Sequence, residues 1–256
     1  MRIASLTCSN TEIVAALGFA DCLVAVDDHS DFPAEALEHL PRLGQDLQID
    51  LEKLRRSRPD LVLASLSVPG MERVVEGVMR LGIETLVLDP VSWSDVLEDI
   101  RLVADRLGVA AVGQRVTQHL ETELGALRAG LPEFSRPPRV MIEWWPKPVI
   151  VAAQDSWVND LLAALGAQNA FAHLERRSCA VRADQVLEVA PDVIAVSWCG
   201  AKRLRPEVVL NRSGWADVPA IRHGRVHAVP ESGLGRPGPR LLEGATALAQ
   251  AIRGLR

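Results

Sequence analysis

Two acidic residues occupy equivalent places in a repeated stretch of this chain. Residues 50–65 and 182–197 align without gaps on a shared Pro-Asp dipeptide, 132 residues apart. The alignment pairs Glu52 with Asp184, each near the start of a short predicted helix that leads through Pro-Asp into an apolar strand. The helix dipole alone favours an acid at such a place. One carboxylate in each of two similar lobes nevertheless indicates recognition of a partner rather than catalysis.

Three tryptophans stand where predicted strands end. Trp144 and Trp145 follow the apolar run 140–142, and Trp198 follows the run 193–196. Open α/β sheets bind ligands beyond the carboxyl ends of their strands, and indole faces suit a large, flat, partly apolar ligand. We therefore predict ligand contacts for all three. Because neighbours on a strand face opposite ways, one member of the adjacent pair is also a candidate for the core.

A histidine lies in the acidic loop Asp27-Asp28-His29-Ser30-Asp31, directly after the predicted strand 23–26. Its imidazole is able to form a hydrogen bond to a ligand or to coordinate a transition metal. The surrounding acids also allow a small metal site, and an ordinary polar loop is the remaining interpretation. We predict a ligand contact for His29 and no dedicated metal site.

The periodicity of the chain predicts the elements that position these residues. Short apolar runs alternate with amphipathic helical segments in both halves, which is typical of parallel sheets covered by helices on both faces. Each half contains, in the same order, a helix ending in Ala-Leu-Gly, a Pro-Asp strand and a strand introduced by glycine. Strands are predicted at residues 2–6, 23–26, 61–64, 85–88, 140–142, 149–151, 193–196 and 226–229.

The segment 94–131 is helical in pattern, with two internal glycines at which it can bend or divide. A continuous helix of this length would span about 55 Å, enough to cross between two lobes. We predict an α/β fold of two Rossmann-like lobes with parallel sheets and a ligand cleft between them. The boundaries are 1–92 for the N-terminal lobe, 93–131 for a single linking helix and 132–256 for the C-terminal lobe.

Composition narrows the functional classes. The chain has 256 residues, of which 48% are hydrophobic and 24% charged, with a net charge of -5. This balance argues against binding to nucleic acid or to an anionic membrane. No apolar run reaches the roughly 18 residues that span a bilayer. No nucleophile–base set or metal-ligand cluster is visible in the sequence, so we predict no enzymatic activity and no catalytic cofactor.

A series of short motifs runs through nearly the whole chain. They are Arg2-Ile3-Ala4-Ser5-Leu6, Asn10-Thr11-Glu12-Ile13, Ala16-Leu17-Gly18, Ser30-Asp31-Phe32-Pro33, Leu51-Glu52, Pro59-Asp60-Leu61-Val62, Leu81-Gly82-Ile83, Ser213-Gly214-Trp215, Gly224-Arg225-Val226 and Arg236-Pro237-Gly238-Pro239-Arg240. In this order they resemble the class III substrate-binding proteins of ABC importers, which carry vitamin B12, haem or ferric siderophores. The Asn-Thr-Glu start, the Ser-Asp-Phe-Pro turn and the last motif are most similar to the cobalamin-binding branch.

The resemblance implies a carrier that binds a corrinoid, cobalamin or cobinamide, and delivers it to an ABC permease. It implies that Glu52 and Asp184 dock into basic pockets on the two permease subunits. It also implies that Trp144 lines the ligand pocket and that Arg236 reaches the ligand. The carrier is expected to be a monomer that acts outside the cytoplasm, in the periplasm or cell envelope.

Some positions depart from the family pattern. Asp184 replaces the usual glutamate and is one methylene shorter, which shortens the reach of the second docking carboxylate. Asp46 and Ser178 stand where well-known cobalamin carriers place tryptophans. Haem or a ferric siderophore therefore remains an alternative ligand. Because the sequence shows no secretory signal, a cytosolic chelatase-like protein that handles metals or tetrapyrroles is a further alternative.

Overall fold

The computed structural model describes residues 1–201 and 203–255, which form two compact units. Unit 1 consists of Met1–Pro90, Ser94–Gln118 and Pro237–Pro239. Unit 2 consists of the described residues within Val91–Trp93, His119–Arg236 and Arg240–Arg256. No helix among the described residues combines the length and the apolarity needed to cross a bilayer.

Unit 1 is built on a four-stranded parallel sheet. Its order is β2-β1-β3-β4, with all three pairings parallel, as the alternating pattern predicts. The strands are β1 (Ile3–Ser5), β2 (Leu23–Val26), β3 (Leu61–Ser65) and β4 (Glu84–Leu88). The helices of the first half of the chain are α1 (Cys8–Ala16), α2 (Ala34–Leu37), α3 (Leu51–Arg56), α4 (Glu72–Met79), α5 (Trp93–Arg106) and α6 (Ala110–Ala129), with a 3₁₀ turn at Ala20–Cys22.

Unit 2 is built on a six-stranded sheet. Its order is β10-β9-β5-β6-β8, and β7 pairs with β5 off this path. The strands are β5 (Arg139–Pro146), β6 (Val149–Ala152), β7 (Gln168–Asn169), β8 (Ser178–Ala180), β9 (Val193–Val196) and β10 (Val226–Ala228). The helices are α7 (Val158–Ala164), α8 (Ala183–Val189), α9 (Pro206–Leu210), α10 (Pro219–Arg222), α11 (Glu231–Leu234) and α12 (Leu241–Ile252).

The sheet of unit 2 is mixed, which corrects the prediction of a parallel sheet in the second lobe. β5, β9 and β10 run parallel, whereas β5 pairs with β6, and β6 with β8, in antiparallel fashion. The reason is the connection between β5 and β6. Only Lys147 and Pro148 separate these strands, and a parallel pair needs a crossover of a dozen or more residues.

The segment predicted as a single linking helix is divided into α5 and α6. Gly108 adopts a φ of +74° and ends α5, and the Val109 N–H donates to the Ala104 carbonyl at 2.8 Å. A Cβ built on Gly113 would lie 2.5 Å from the Cβ of Ala104. The first turn of α6 therefore packs against the end of α5, and this approach is possible because Gly113 has no side chain.

The Ala-Leu-Gly motifs end helices in both units, as predicted. Gly18 after α1 and Gly166 after α7 have φ values of +83° and +77°. The Phe19 N–H donates to the Val14 carbonyl at 3.0 Å. The matching bond in unit 2 joins Ala167 N–H to the Leu162 carbonyl at 2.8 Å, so both helices end in the same left-handed cap.

Candidate functional site

A buried network of short polar side chains lies at the carboxyl edge of the sheet in unit 1. Thr11 Oγ1 donates to Ser5 Oγ at 2.8 Å and lies 2.7 Å from Ser30 Oγ. Ser30 Oγ in turn donates to Asp27 Oδ1 at 2.5 Å. Because Ser5 ends β1 and Asp27 follows β2, these bonds hold the loop after β2 against α1.

His29 is exposed in this loop. Its backbone N–H donates to Asp27 Oδ2 at 2.9 Å. Asp27 is fully buried, and this burial raises the pKa of its carboxyl group even though Ser30 and His29 donate hydrogen bonds to it. The loop is thus anchored through Asp27 while the His29 side chain faces solvent. The sequence does not show which of the three aspartates in this loop is buried, so it does not predict that Asp27 anchors the loop.

The loops at the same edge expose apolar side chains. Phe32 follows β2 and is 47% exposed, and Val68 follows β3 and is 41% exposed. Leu47, at 44% exposure, lies beside Gly70 in the loop after β3. We call Phe32, Leu47 and Val68 the apolar rim. Exposed apolar side chains in loops that share one edge of a sheet are candidates for a binding surface.

Trp144 and Trp145 lie at the carboxyl end of β5 in unit 2. The pairing of β5 with β6 shifts register between Glu143 and Trp145, so Trp144 is the extra residue of a β-bulge. Trp144 is half-buried, and Trp145 is exposed with its indole N–H donating to the Lys147 carbonyl at 3.1 Å. On a regular strand, one of two neighbouring side chains would face the core. The bulge interrupts this alternation, which explains why neither indole is completely buried.

Trp198 lies in the hydrophobic core of unit 2 and is only 6% exposed. Its indole N–H donates to Oε1 of Glu143 at 3.0 Å. This burial favours a structural role for Trp198 over the predicted ligand contact, which stays a prediction. The sequence could not show this, because the acceptor lies 55 positions away on another strand.

Glu143 is the centre of a buried charged cluster. It is fully buried, and Arg212 donates to its two carboxylate oxygens at 2.7 and 2.8 Å. The Arg212 guanidinium also lies 4.3 Å from the centroid of the Trp215 ring. The Cys199 N–H donates to the Trp144 carbonyl at 3.1 Å, so the loop after β9 is held directly against the bulge. The structure therefore brings the loops of Trp144 and Trp198 together.

Arg236 follows α11 and is 6% exposed. Its guanidinium pairs with Glu231 at 3.3 Å. α11 packs tightly on α12, since a Cβ built on Gly244 would lie only 1.8 Å from the Gly233 carbonyl oxygen. The position of Arg236 is thus fixed by close helix packing, and its predicted contact with a ligand stays a prediction.

Glu52 lies in the first turn of α3, as predicted, and is exposed. The helix is capped by Asp50, whose side chain accepts from the Glu52 and Lys53 N–H groups at 3.1 and 3.0 Å. Arg55 and Arg56 donate to the Glu52 carboxylate at 2.8 to 3.0 Å. These bonds, first that from Arg55 and then that from Arg56, lower the pKa of Glu52 to about 2.

Asp184 lies in the first turn of α8 and is also exposed. Arg182 donates to it at 2.6 and 3.0 Å, and this hydrogen bonding lowers the pKa of the Asp184 carboxyl group. The side chain of Gln185 reaches back and accepts from the Arg182 N–H at 3.0 Å. Each predicted docking acid is therefore ionised and already paired with arginine, Glu52 with Arg55 and Arg56 of α3 and Asp184 with Arg182, which precedes α8.

No group of three or more His, Cys, Asp or Glu residues within 1–201 and 203–255 has the arrangement of a metal site. The acids around His29 accordingly do not form such a group. At the strand ends, unit 1 presents apolar side chains and hydrogen-bonding groups, and unit 2 presents indoles. Their chemistry suits the binding of a solute.

An α/β chain with one parallel and one mixed sheet, divided into two units, matches the fold of class III substrate-binding proteins. Comparison of sequences identifies the family. The chain belongs to the periplasmic binding protein family, whose model matches residues 3–232. It is a substrate-binding protein of the vitamin B12 and haem group within ABC transport systems. Members of this family are solute-binding transport proteins that work with permeases, and they are periplasmic proteins or lipoproteins.

Three relatives illustrate the range of the family. The chain is 29% identical over 246 residues to the vitamin B12-binding protein of Vibrio cholerae serotype O1 (strain ATCC 39541 / Classical Ogawa 395 / O395), covering 94% of this chain and 85% of the relative. It is 28% identical over 257 residues to the uncharacterized ABC transporter substrate-binding lipoprotein YvrC of Bacillus subtilis (strain 168), covering 98% and 79%. The structure of a periplasmic haem-binding protein from Roseiflexus sp. RS-1 superposes with a TM-score of 0.84 at 28% identity, covering 98% and 97%.

Proposed function

We propose that this protein binds a corrinoid, such as cobalamin or cobinamide, and delivers it to an ABC permease. The observation that carries the proposal is the indole pair on the bulged end of β5. Trp145 is 44% exposed and Trp144 is half-buried, although large aromatic side chains are normally buried. Two adjacent indoles at a strand end provide the flat apolar surface that a corrin ring requires. The similarity to a vitamin B12-binding protein supports the same ligand class.

Residues of unit 1 would supply further contacts. The apolar rim offers aliphatic and aromatic surface to the edge of a macrocycle, and the exposed His29 imidazole offers a hydrogen bond to its amide arms. We propose His29, Trp144 and Trp145 as the principal ligand contacts. Trp198 and Arg236 are retained as lesser candidates because both are largely buried.

Haem is the second candidate ligand, because a haem-binding relative is as similar to this chain as the vitamin B12-binding one. Haem proteins hold the iron through an axial side chain such as His, Cys, Met or Tyr. The chain contains no tyrosine, and His29 is a solvent-facing histidine at the carboxyl edge of the sheet. Among the ligand contacts proposed above, His29 is the residue whose side chain is able to ligate the iron of haem.

Tryptophan fluorescence tests the proposal. Titration with cyanocobalamin, cobinamide, haemin and a ferric siderophore should give saturable quenching with the two corrinoids. Trp145→Ala should weaken corrinoid binding by about tenfold or more, since it removes exposed stacking surface. Leu187→Ala removes another exposed apolar side chain, 38% accessible on α8, and as the matched control it should leave corrinoid affinity unchanged. Tight haemin binding without any corrinoid response would overturn the proposal.

We also propose that Glu52 and Asp184 dock the protein onto the permease. Both carboxylates are exposed and ionised, and arginines on the permease would replace or join the arginines that now hold them. Exchange of one arginine for another keeps each carboxylate paired throughout docking. Such exposed pairs are weak in water, so the exchange itself costs little. The protein would act outside the cytoplasm as a monomer.

A reconstituted transport assay tests docking. Glu52→Gln and Asp184→Asn should reduce ligand-stimulated ATP hydrolysis by the permease complex and leave the corrinoid Kd unchanged. Glu188→Gln alters another exposed acid of α8 and is the matched control. If either docking variant lost corrinoid affinity instead, that acid would belong to the ligand site.

A further inference from the structure

A small pocket lies at the amino edge of the sheet in unit 2. Its volume is about 150 Å³, and it is lined by Phe134, Arg136, Pro138, Asp192, Arg225 and Leu255. Asp192 directly precedes β9 and Arg225 directly precedes β10, and these strands are parallel neighbours. The pocket is therefore at the edge of this sheet opposite to the carboxyl ends, where the indole pair stands.

The single acid that lines the pocket, Asp192, already has hydrogen-bond partners. Arg136 donates to the two carboxylate oxygens of Asp192 at 2.7 and 2.8 Å, and the backbone N–H of Arg139 donates to the same group at 2.8 Å. Burial opposes ionisation of Asp192, but the bonds from Arg136 and Arg139 outweigh it and leave the pKa lowered. The charges of Arg136 and Asp192 thus compensate each other.

A second guanidinium in the pocket has no such partner. Within the described chain, the half-buried side chain of Arg225 makes no hydrogen bond or ion pair. The Nε–H of Arg139, at the first position of β5, is buried and also lacks an acceptor in the same set of residues. A partly buried cation without an acceptor is costly, and an anion would relieve that cost.

The remaining walls define the shape of such an anion. Phe134, Pro138 and Leu255 add apolar side chains to the lining of the pocket, beside its charged groups. Among the residues that line the pocket, Arg225 carries one uncompensated positive charge, which calls for one negative charge, and the nearby carboxylate of Asp192 disfavours a dianion. Guanidinium groups pair with carboxylates in a planar, two-point geometry.

We propose that this pocket binds a small organic monoanion, a carboxylate with a short apolar body, through Arg225. The site is separate from the proposed corrinoid contacts and does not depend on them. Arg225 takes up the carboxylate, and the side chains of Phe134, Pro138 and Leu255 cover the apolar part. Occupation would complete the charge balance at the amino ends of β5, β9 and β10.

Sodium benzoate is the probe, with acetate and inorganic phosphate as comparisons at constant ionic strength. ¹H–¹⁵N spectra of the arginine Nε–H groups should show saturable, one-to-one shifts with benzoate. Arg225→Gln should weaken benzoate binding at least about tenfold, as expected for loss of a charge-assisted hydrogen bond. Arg222→Gln is the control, because Arg222 is an exposed residue of α10 that does not line the pocket. This variant should bind benzoate as tightly as the unaltered protein.

The comparisons among probes sharpen the test. Acetate should bind more weakly than benzoate because it lacks the apolar body, and phosphate should bind no better than acetate. The unliganded melting temperature of Arg225→Gln shows whether the variant is folded, independently of any binding. The proposal is overturned if benzoate fails to saturate, if Arg225→Gln retains full affinity, or if Arg222→Gln loses as much. Corrinoid titrations bear on a different site and leave this result unaffected.

Discussion

The carboxylate of Asp60 accepts a hydrogen bond from the backbone N–H of Arg2 at 2.8 Å, and the Asp60 N–H donates to the Arg2 carbonyl at the same distance. In unit 2, Asp192 makes both bonds with Arg139, again at 2.8 Å. Each Pro-Asp dipeptide thus ties the amino end of one parallel strand to its neighbour. The repeated motif has the same structural task in both units.

Of these two aspartates, Asp192 is buried and Asp60 is exposed, so replacing Asp192 should destabilise the protein more. Asp192→Asn should lower the free energy of unfolding by about 1–3 kcal/mol, because a residue that is only 8% exposed loses its charge-assisted bonds from Arg136 and from the Arg139 N–H. Asp60→Asn should cost no more than about 1 kcal/mol, since Asp60 is exposed. Urea unfolding at pH 7 measures both changes.

The lowered pKa of Asp192 predicts how the stability difference between the unaltered protein and Asp192→Asn depends on pH. The folded pKa lies below the unfolded value, so the carboxylate contributes stability above about pH 4, and this contribution is lost as the pH falls through the folded pKa. The gap between the unaltered protein and Asp192→Asn should therefore narrow in acid. A gap that widened below pH 4 would contradict the assignment.

The residue before each Pro-Asp dipeptide adopts a left-handed conformation. Arg58 and Ala190 have φ values of 48° and 45°, and they are equivalent in the sequence repeat. Ala190→Gly should stabilise the protein by about 0.5–1 kcal/mol, because glycine accepts this conformation without steric cost. Ala163→Gly, at an exposed position within α7, should destabilise by a similar amount. Equal effects of the two changes in thermal unfolding would refute the argument.

The contact between α11 and α12 depends on the absence of side chains. A Cβ on Gly244 would lie 1.8 Å from the Gly233 carbonyl oxygen, so Gly244→Ala should cost at least about 2–3 kcal/mol. A Cβ on Gly125 of α6 would meet nothing within 4 Å, and Gly125→Ala should stabilise by about 0.5–1 kcal/mol. Calorimetry of both variants checks the opposite signs, and a harmless Gly244→Ala would disprove the close packing.

The carboxyl group of Asp99 on α5 should make the stability of the protein depend on pH near neutrality. Burial, followed by the neighbouring charges of Asp95, Asp89 and Glu98, raises the pKa of Asp99 to about 7. The folded state therefore holds this proton more tightly than the unfolded state, and stability falls as the pH rises from about 4 to 7.

Asp99→Asn should accordingly stabilise the protein at pH 8 by about 1–2 kcal/mol, a value discounted because the carboxyl group is partly solvated. The gain should be close to zero at pH 4. Asp105→Asn alters an exposed acid of the same helix and serves as the control. Chemical unfolding at the two pH values measures the difference, and an equal gain at both would contradict the raised pKa.

Local patterns in the sequence were sufficient to predict most of the strands. The strands Leu23–Val26 and Val193–Val196 were predicted at the observed bounds, because short apolar runs between turn residues have few other solutions. The two glycines of the linking segment marked the points at which it could divide, but the pattern did not decide between one helix and two. The division depends on a positive φ at Gly108 and on the tertiary packing of Gly113 against Ala104.

The candidate site was less predictable, because its side chains are placed by distant partners. Trp198 is drawn into the core by Glu143, and the loop of His29 is anchored by Asp27. Neither partner stands out in the sequence. The bulge at Trp144 likewise follows from pairing with β6, which a single strand does not specify.

Equilibrium binding of cyanocobalamin and haemin, measured side by side by isothermal titration calorimetry, tests the central claim most directly. We predict one-to-one binding of cyanocobalamin with a lower Kd than that of haemin, and a weaker cyanocobalamin affinity for Trp145→Ala. Haemin binding that depends on His29, together with no heat from cyanocobalamin at any concentration, would contradict the claim.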